Sequence, residues 1–101
     1  TTLQKFNFDG LAQALQAIGD KPVYFTIDLD VLDPSEFPGT GTPEAGGVTF
    51  TALIDALIAV SKQANVVACD VNELAPIYDP SGRSTALAGK VIREFLIALQ
   101  K

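Results

Sequence analysis

The sequence predicts an α/β fold with parallel strands, and the order of its apolar segments is the main reason. Two short apolar runs, residues 23–27 (VYFTI) and residues 66–69 (VVAC), have the length and composition of strands that are buried on both faces. A helical pattern lies between them, and this spacing suits a right-handed crossover between parallel neighbours. Each run is followed by acidic residues, so both strand ends are candidate positions for chemistry.

Length and charge restrict the possible functions. At 101 residues the chain is long enough for a single domain with a modest core. Its apolar content of 48% is typical of folded chains, because disordered segments carry too little apolar surface to offset the entropy of ordering. The formal net charge of -5 argues against nucleic acid or an anionic membrane surface as a partner, since both require clustered Lys and Arg. It suits a cationic ligand or a metal ion.

The cysteine content, the apolar segments and the first residues indicate the cellular compartment of the protein. Cys69 is the single cysteine, so no internal disulfide can form, and its place in an apolar strand predicts a buried thiol in a reducing cytosol. No apolar stretch reaches the ~18 residues of a membrane span. The first residues lack the basic and apolar regions of a signal peptide, and the sequence contains no Met. We therefore predict a cytoplasmic protein and expect the chain to be part of a longer one.

Helix ends are indicated by capping residues. Residues 9–18 predict a short helix that Asp9 caps and that Gly19 ends in a left-handed conformation. A longer helix is expected to begin after Thr49, which can act as its N-cap, and a last helix near Ser84.

A long loop should connect the first strand to the longer helix. Residues 33–47 contain three prolines and four glycines, a density that neither helix nor strand tolerates. Loops longer than ~12 residues are uncommon in compact domains unless they form a lid, a binding surface or an interface. We therefore expect this loop to be functional. Asp33 is followed by Pro34, which is typical of a turn start, so we interpret Asp33 as structural.

Acidic side chains occur where both predicted strands end. In open α/β sheets, ligands bind outside the carboxyl ends of the strands. Asp28 and Asp30 are one residue apart, so in an extended segment their side chains point the same way. Carboxylates are hard oxygen donors that suit Mn²⁺ or Mg²⁺. The pair predicts a shared cation site, with Glu73 at a comparable height, and the alternative is that these acids are merely solvated.

Three segments carry a family resemblance. Residues 26–34 read TIDLDVLDP, residues 38–47 read PGTGTPEAGG and residues 70–76 read DVNELAP. Together they resemble the signature of the ureohydrolases, the family of arginase, agmatinase and formimidoylglutamase. The resemblance covers nearly the whole chain and maps to the C-terminal third of a family member. It implies that residues 1–101 are the C-terminal segment of a ureohydrolase domain, an incomplete domain with a three-layer α/β/α, arginase-like fold around a parallel sheet.

The resemblance implies a reaction and a role for four residues. Asp28 and Asp30 would be catalytic metal ligands of a centre with two Mn²⁺ per complete site, where an activated water attacks the guanidinium carbon. Glu73 would bind the guanidinium of the substrate, and Thr42 would help to hold that Glu in place. The reaction implied is hydrolysis of a guanidino or amidine C–N bond, such as agmatine to putrescine and urea. The partner would be a small guanidino compound, and we expect the full-length protein to form a homo-oligomer.

The chain departs from the family pattern in one respect. The family's metal centre also uses two His and two further Asp, whereas this chain contains no His. We therefore expect the parent protein to be an enzyme and this chain alone to be inactive. Residues 78–85 (YDPSGRST) are most similar to agmatinase, and formimidoylglutamase and arginase remain alternatives.

Two alternative functions outside the ureohydrolases are also consistent with the sequence. A haloacid dehalogenase (HAD)-type phosphatase also places Asp-x-Asp after an apolar strand, with the first Asp as nucleophile. That family would have Thr where this chain has Leu32. The second alternative is a non-enzymatic interaction or oligomerisation module whose apolar strands are covered by a partner.

Overall fold

The structure, a computed structural model, describes residues 6–100 and confirms the α/β class. The helices and strands occur in the predicted order. They are helix α1 (Leu11–Ile18), strand β1 (Pro22–Asp28), helix α2 (Phe50–Gln63), strand β2 (Asn65–Asn72) and helix α3 (Arg83–Leu99). A short 3₁₀ turn follows each strand, Leu29–Val31 after β1 and Pro76–Tyr78 after β2.

The two strands pair in parallel, as predicted. The register runs from Pro22 opposite Asn65 to Asp28 opposite Asn72, with one irregularity after Val23. Because the strands are parallel and α2 forms the crossover, both carboxyl ends lie at the same edge of the sheet. The segments that leave the two strands therefore begin side by side.

Helices α2 and α3 pack against each other and cover one face of the sheet. The rings of Phe25 in β1 and Phe95 in α3 lie with their centroids 5.5 Å apart. The long loop also contributes to this core, because Leu32 and Phe37 are both fully buried. Burial of such apolar side chains is the main stabilising contribution, and it anchors the loop to the sheet.

The prediction that both strands are buried on both faces is wrong for this chain. Along β1, exposed residues alternate with Val23, Phe25 and Ile27, which face the helices. Tyr24, between them, is 62% exposed. The predicted buried thiol is also wrong, because Cys69 is exposed. Among residues 6–100 the sheet has two strands and helices on one face only, so side chains on the other face and along the outer side of β2 contact solvent.

Helix α1 begins differently from the prediction. Gly10, rather than Asp9, is its N-cap, and no side-chain hydrogen bond caps this end. The N–H of Asp9 instead donates to Oδ1 of Asn7 at 3.0 Å, so the residues before α1 form their own turn. Gly19 follows the helix with the predicted positive φ, 62°, but its ψ of -133° lies outside the left-handed helical region, so the predicted left-handed conformation is only partly correct.

The start of α2 agrees with the prediction. Oγ1 of Thr49 accepts a hydrogen bond from the N–H of Ala52 at 3.1 Å. A second cap comes from the long loop, where Oε2 of Glu36 accepts a hydrogen bond from the N–H of Phe50 at 2.6 Å. Helix α3 begins one residue before the predicted Ser84. Within the described part of the chain, no helix is long and apolar enough to cross a membrane.

Candidate metal and guanidinium site

The long loop of residues 33–47 is closed by one side chain. Oδ1 of Asp33 accepts hydrogen bonds from the N–H of Gly46 at 3.2 Å and of Gly47 at 3.3 Å. Oδ2 accepts hydrogen bonds from the hydroxyl of Ser35 at 2.5 Å and from its N–H at 3.0 Å. The hydroxyl hydrogen bond, followed by the backbone ones, lowers the pKa of Asp33 below its usual value. The structural interpretation of Asp33 is confirmed.

Gly39 joins this loop to the segment that follows β2. Its N–H donates to Oγ of Ser84 at 2.9 Å, and its carbonyl accepts a hydrogen bond from the N–H of Ala75 at 2.7 Å. A Cβ at position 39 would lie 2.6 Å from the Cβ of Ser84, so the close approach requires glycine. The segments that leave the carboxyl ends of β1 and β2 are thereby held against each other.

Asp28 and Asp30 lie on either side of a fully buried leucine at this edge of the sheet. Leu29 packs into the core, which fixes the 3₁₀ turn. Oδ1 of Asp28 accepts a hydrogen bond from the N–H of Asp30 at 3.1 Å. Asp28 ends β1 and Asp30 lies in the 3₁₀ turn, so the prediction that both belong to one extended segment is wrong, and it is the turn that keeps the two residues next to each other.

The environment of Asp28 raises the pKa of its carboxyl group. Partial burial is the largest cause, because Asp28 lines a mainly apolar cavity of about 270 Å³ together with Phe8 and Phe25. The carboxyl group and charge of Asp30 and the charge of Glu73 act in the same direction. Like charges disfavour ionisation only at short range. Asp28 pairs with Asn72 at the end of the sheet, so Glu73 follows β2 on the side of Asp28.

Thr42 contacts the same group of acids. Its Oγ1 donates to Oδ2 of Asp30 at 2.8 Å, so the Gly-Thr-Pro turn orients one carboxylate. The role predicted for Thr42, to help to hold Glu73, stays a prediction. A hydroxyl that donates to a carboxylate fixes its orientation and leaves its other oxygen lone pairs available.

Glu73 has an unusual backbone conformation. Its φ is 75°, and among residues 6–100 it is the one non-glycine residue with a positive φ. Such a conformation costs a glutamate on the order of 1–2 kcal/mol and persists only where the surroundings enforce it. Asn72, the preceding residue, pairs with Asp28, so Glu73 leaves the sheet beside the two aspartates. No sequence signal such as Gly or Asn indicates this conformation.

A hydrogen-bonded row of three polar side chains lies on the exposed face of the sheet, and the sequence did not predict it. The hydroxyl of Tyr24 donates to Oδ2 of Asp70 at 2.5 Å, and Nδ2 of Asn72 donates to Oδ1 of the same carboxylate at 3.0 Å. The hydrogen bond to Asp70 raises the pKa of Tyr24. The spacing of two residues between Asp70 and Asn72, which places both on one face of a strand, is the signal that could have indicated it.

The donor set fits part of a metal site. Asp28 and Asp30 supply the hard oxygen atoms that Mn²⁺ prefers. In the described part of the chain, no group of three or more His, Cys, Asp and Glu side chains is arranged to hold a metal ion. The pair can therefore contribute to a coordination shell, and further ligands are needed to complete it.

Comparison with known proteins decides the family. A family model described as the arginase family matches residues 2–98. The chain belongs to the arginase family. The agmatinase of Bacillus cereus is 45% identical over 98% of this chain and 35% of its own length. Human mitochondrial guanidino acid hydrolase is 41% identical over 90% of this chain and 26% of its own length. The predicted resemblance to the ureohydrolases is confirmed.

Solved structures of arginase-family proteins share the fold. Proclavaminate amidino hydrolase from Streptomyces clavuligerus superposes with a TM-score of 0.77 and 35% identity, covering 89% of this chain and 32% of that one. Formimidoylglutamase from Bacillus subtilis superposes with a TM-score of 0.77 and 25% identity, covering 92% of this chain and 29% of that one. The arginase-like fold is therefore confirmed for the part present. The chain spans about a third of the length of the curated relatives it matches.

Proposed function

We propose that residues 1–101 form the C-terminal segment of a manganese-dependent ureohydrolase that converts agmatine to putrescine and urea. Asp28 and Asp30 are metal ligands of its dinuclear centre, and Glu73 binds the substrate guanidinium. The observation that carries the proposal is the strained, left-handed Glu73 beside the two aspartates. Strain of this kind is concentrated at functional sites, because there the position of a side chain matters more than local stability.

Each residue has a distinct part in this proposal. Two manganese ions, when bound, supply a water that is activated at neutral pH. Asp28 and Asp30 would hold these ions, and Thr42 orients Asp30 through its 2.8 Å hydrogen bond. Glu73 receives the planar, cationic guanidinium through paired charge-assisted hydrogen bonds. These bonds orient the guanidinium carbon toward the metal site, which lowers the entropic cost of reaction.

The choice of substrate follows from the relatives that the chain resembles. Agmatinases from several Bacillus species are 41–45% identical to it, which favours agmatine. Arginase and formimidoylglutamase activities are the alternatives within the family. The net charge of -5 supports a small cationic substrate over nucleic acid or a membrane surface. A cytosolic homo-oligomer in polyamine biosynthesis completes the proposal.

The alternatives of another class have less support. A HAD-type phosphatase would need a hydroxyl side chain where this chain has Leu32, and that side chain is buried in the core. Membership of the arginase family leaves this alternative without support. A non-enzymatic oligomerisation module would explain the exposed sheet face, and it gives no reason for the conformation of Glu73.

Manganese binding by the 101-residue chain tests the ligand assignment. Electron paramagnetic resonance distinguishes free from bound Mn²⁺, and we expect weak binding by the unmodified chain. Asp28→Asn or Asp30→Asn should weaken it by on the order of tenfold or more, and Thr42→Val by about tenfold. Asp55→Asn is the matched control, because Asp55 is an exposed aspartate on α2. Equal binding by the unmodified chain and Asp28→Asn would contradict the assignment.

Urea release from agmatine tests the reaction. The chain alone lacks the His ligands and should release no urea. In a protein that contains this segment together with the His-containing segments of the family, Asp28→Ala should abolish manganese-dependent turnover, whereas Asp55→Ala should not. Substantial turnover that Asp28→Ala leaves unchanged would exclude the proposed mechanism.

A further inference from the structure

The uncovered face of the sheet carries a hydrogen-bonded row that leads to the candidate site. Tyr24 lies opposite Ala68, and Asp70 is two residues further along β2, at the diagonal position that a long aromatic side chain can reach. Asn72 is the next residue on the same face, directly opposite Asp28. The row therefore runs from the middle of the sheet to its carboxyl edge.

Asp70 is the centre of this row. One carboxylate oxygen accepts the hydroxyl of Tyr24 at 2.5 Å, and the other accepts the side-chain amide of Asn72 at 3.0 Å. The first bond crosses from β1 to β2, so the side chain of Asp70 is tied to the neighbouring strand. The second bond restrains the last residue of β2, which immediately precedes Glu73.

Glu73 lies between two restrained points. On one side Asn72 is held by Asp70, and on the other side Ala75 donates its N–H to the carbonyl of Gly39 at 2.7 Å. Within residues 6–100 no hydrogen bond of the Glu73 side chain accounts for its positive φ. A glutamate free of restraint favours negative φ, since the left-handed region crowds its Cβ. The restraint must therefore come from the flanking segments.

We infer that Asp70 is a positioning residue, which by holding Tyr24 and Asn72 together makes Glu73 leave β2 in the left-handed conformation beside Asp28. The importance of this conformation for substrate rests on the proposed function of Glu73, whereas the conformational effect does not. Asp70 itself contacts no reacting group in this assignment. Its contribution is to direct the carboxylate that meets the guanidinium.

The test is the backbone conformation of Glu73 in the 101-residue chain, measured by NMR. A positive φ gives a short intraresidue distance between the amide proton and Hα, and therefore a strong cross-peak. Asp70→Ala should lose this cross-peak intensity, Tyr24→Phe should reduce it, and Asp70→Asn, which keeps one acceptor, should retain part of it. Tyr78→Phe is the matched control, because Tyr78 and Tyr24 are both 62% exposed. It should change nothing at Glu73.

The melting temperature of each variant separates positioning from simple stabilisation. If Asp70→Ala and Tyr24→Phe lower the melting temperature while Glu73 keeps its positive φ, Asp70 only stabilises the sheet and the inference is overturned. If Asp70→Ala fails to fold, Tyr24→Phe provides the test. This variant should still fold, because it removes only one exposed hydroxyl group. An agmatine titration of the same samples tests the proposed function separately. No shift of the Glu73 amide in the unmodified chain would count against guanidinium binding and leave the positioning result intact.

Discussion

Asp79 accepts two hydrogen bonds from Ser84 through one carboxylate oxygen, from the backbone N–H at 2.8 Å and from the hydroxyl at 2.6 Å. Its other oxygen accepts the N–H and the hydroxyl of Ser81. The N-cap residue of α3, Gly82, has no side chain to satisfy the first turn, so Asp79 performs this function from three residues earlier. The start of α3 is thereby fixed beneath Gly39 and the long loop.

Ser84→Ala should lower the free energy of unfolding by about 1–3 kcal/mol. The buried N–H of Gly39 would lose its acceptor, and Asp79 would lose one of its four hydrogen bonds. Urea denaturation of the 101-residue chain measures the change. Thr85→Ala is the control, because Thr85 is the next residue and is exposed. Equal stability of the two variants would show that the buried hydroxyl is dispensable.

The Asp79 carboxylate should make stability depend on pH. The hydroxyl hydrogen bonds from Ser81 and then from Ser84 lower its pKa in the folded chain. A lowered folded-state pKa stabilises the protein above the unfolded-state pKa, and this contribution is lost as the pH falls further. Asp79→Asn should therefore lower the melting temperature at neutral pH. The difference from the unmodified chain should shrink as the pH falls below the ordinary value of 3.8.

The control for this pH dependence is Asp9→Asn, which changes an exposed aspartate in the turn before α1. Its melting temperature should follow that of the unmodified chain throughout. A constant difference between Asp79→Asn and the unmodified chain across the acid range would contradict the prediction, since it would mean that charge is not involved.

Two glycine-to-alanine substitutions should have opposite effects. A Cβ at Gly47 would lie 2.4 Å from the backbone nitrogen of Asp33, and that backbone is held by its pairing with Val48. Gly47→Ala should therefore cost about 3 kcal/mol or more. Gly89, inside α3, has no atom within 4 Å of the same position. Gly89→Ala should stabilise the chain by about 1 kcal/mol, because alanine favours helix.

Thermal denaturation of these two variants in parallel measures both effects. Each substitution adds one methyl group, into a crowded loop position at Gly47 and into open space on a helix at Gly89. A stable, fully folded Gly47→Ala would show that the two ends of the long loop can separate without loss of structure, contrary to the packing described above.

Glu73→Gly should raise the free energy of unfolding by roughly 0.5–1 kcal/mol. Glycine removes the left-handed penalty of about 1–2 kcal/mol and loses about 0.5–1 kcal/mol through its greater freedom in the unfolded chain. Glu73→Ala retains a Cβ and should gain little. If both variants are stabilised equally, repulsion from Asp28 and Asp30 is the cause and backbone strain is not. Chemical denaturation at neutral pH distinguishes the two results.

Local sequence patterns were sufficient to predict much of the fold. The order of the helices and strands follows from apolar periodicity. The cap at Thr49 follows from its hydroxyl, and the end of α1 at Gly19 follows from the backbone freedom of glycine, both of which act within a few residues. The position of Asp28 and Asp30 at the end of a strand could likewise be predicted from adjacent residues. The error at the start of α1 concerns one residue, where Gly10 rather than Asp9 is the cap.

The sequence by itself therefore determined the elements, their order and the family to which the chain belongs. Only the tertiary structure decided what depends on residues far apart in the chain. Cys69 lies opposite Phe25 and shares its face of the sheet, so its exposure depends on how far the helices extend over β2. The contact of Gly39 with Ser84, across 45 positions, and the left-handed Glu73 between two restrained segments depend on packing. Local propensity cannot encode these features, because they arise where separate segments meet.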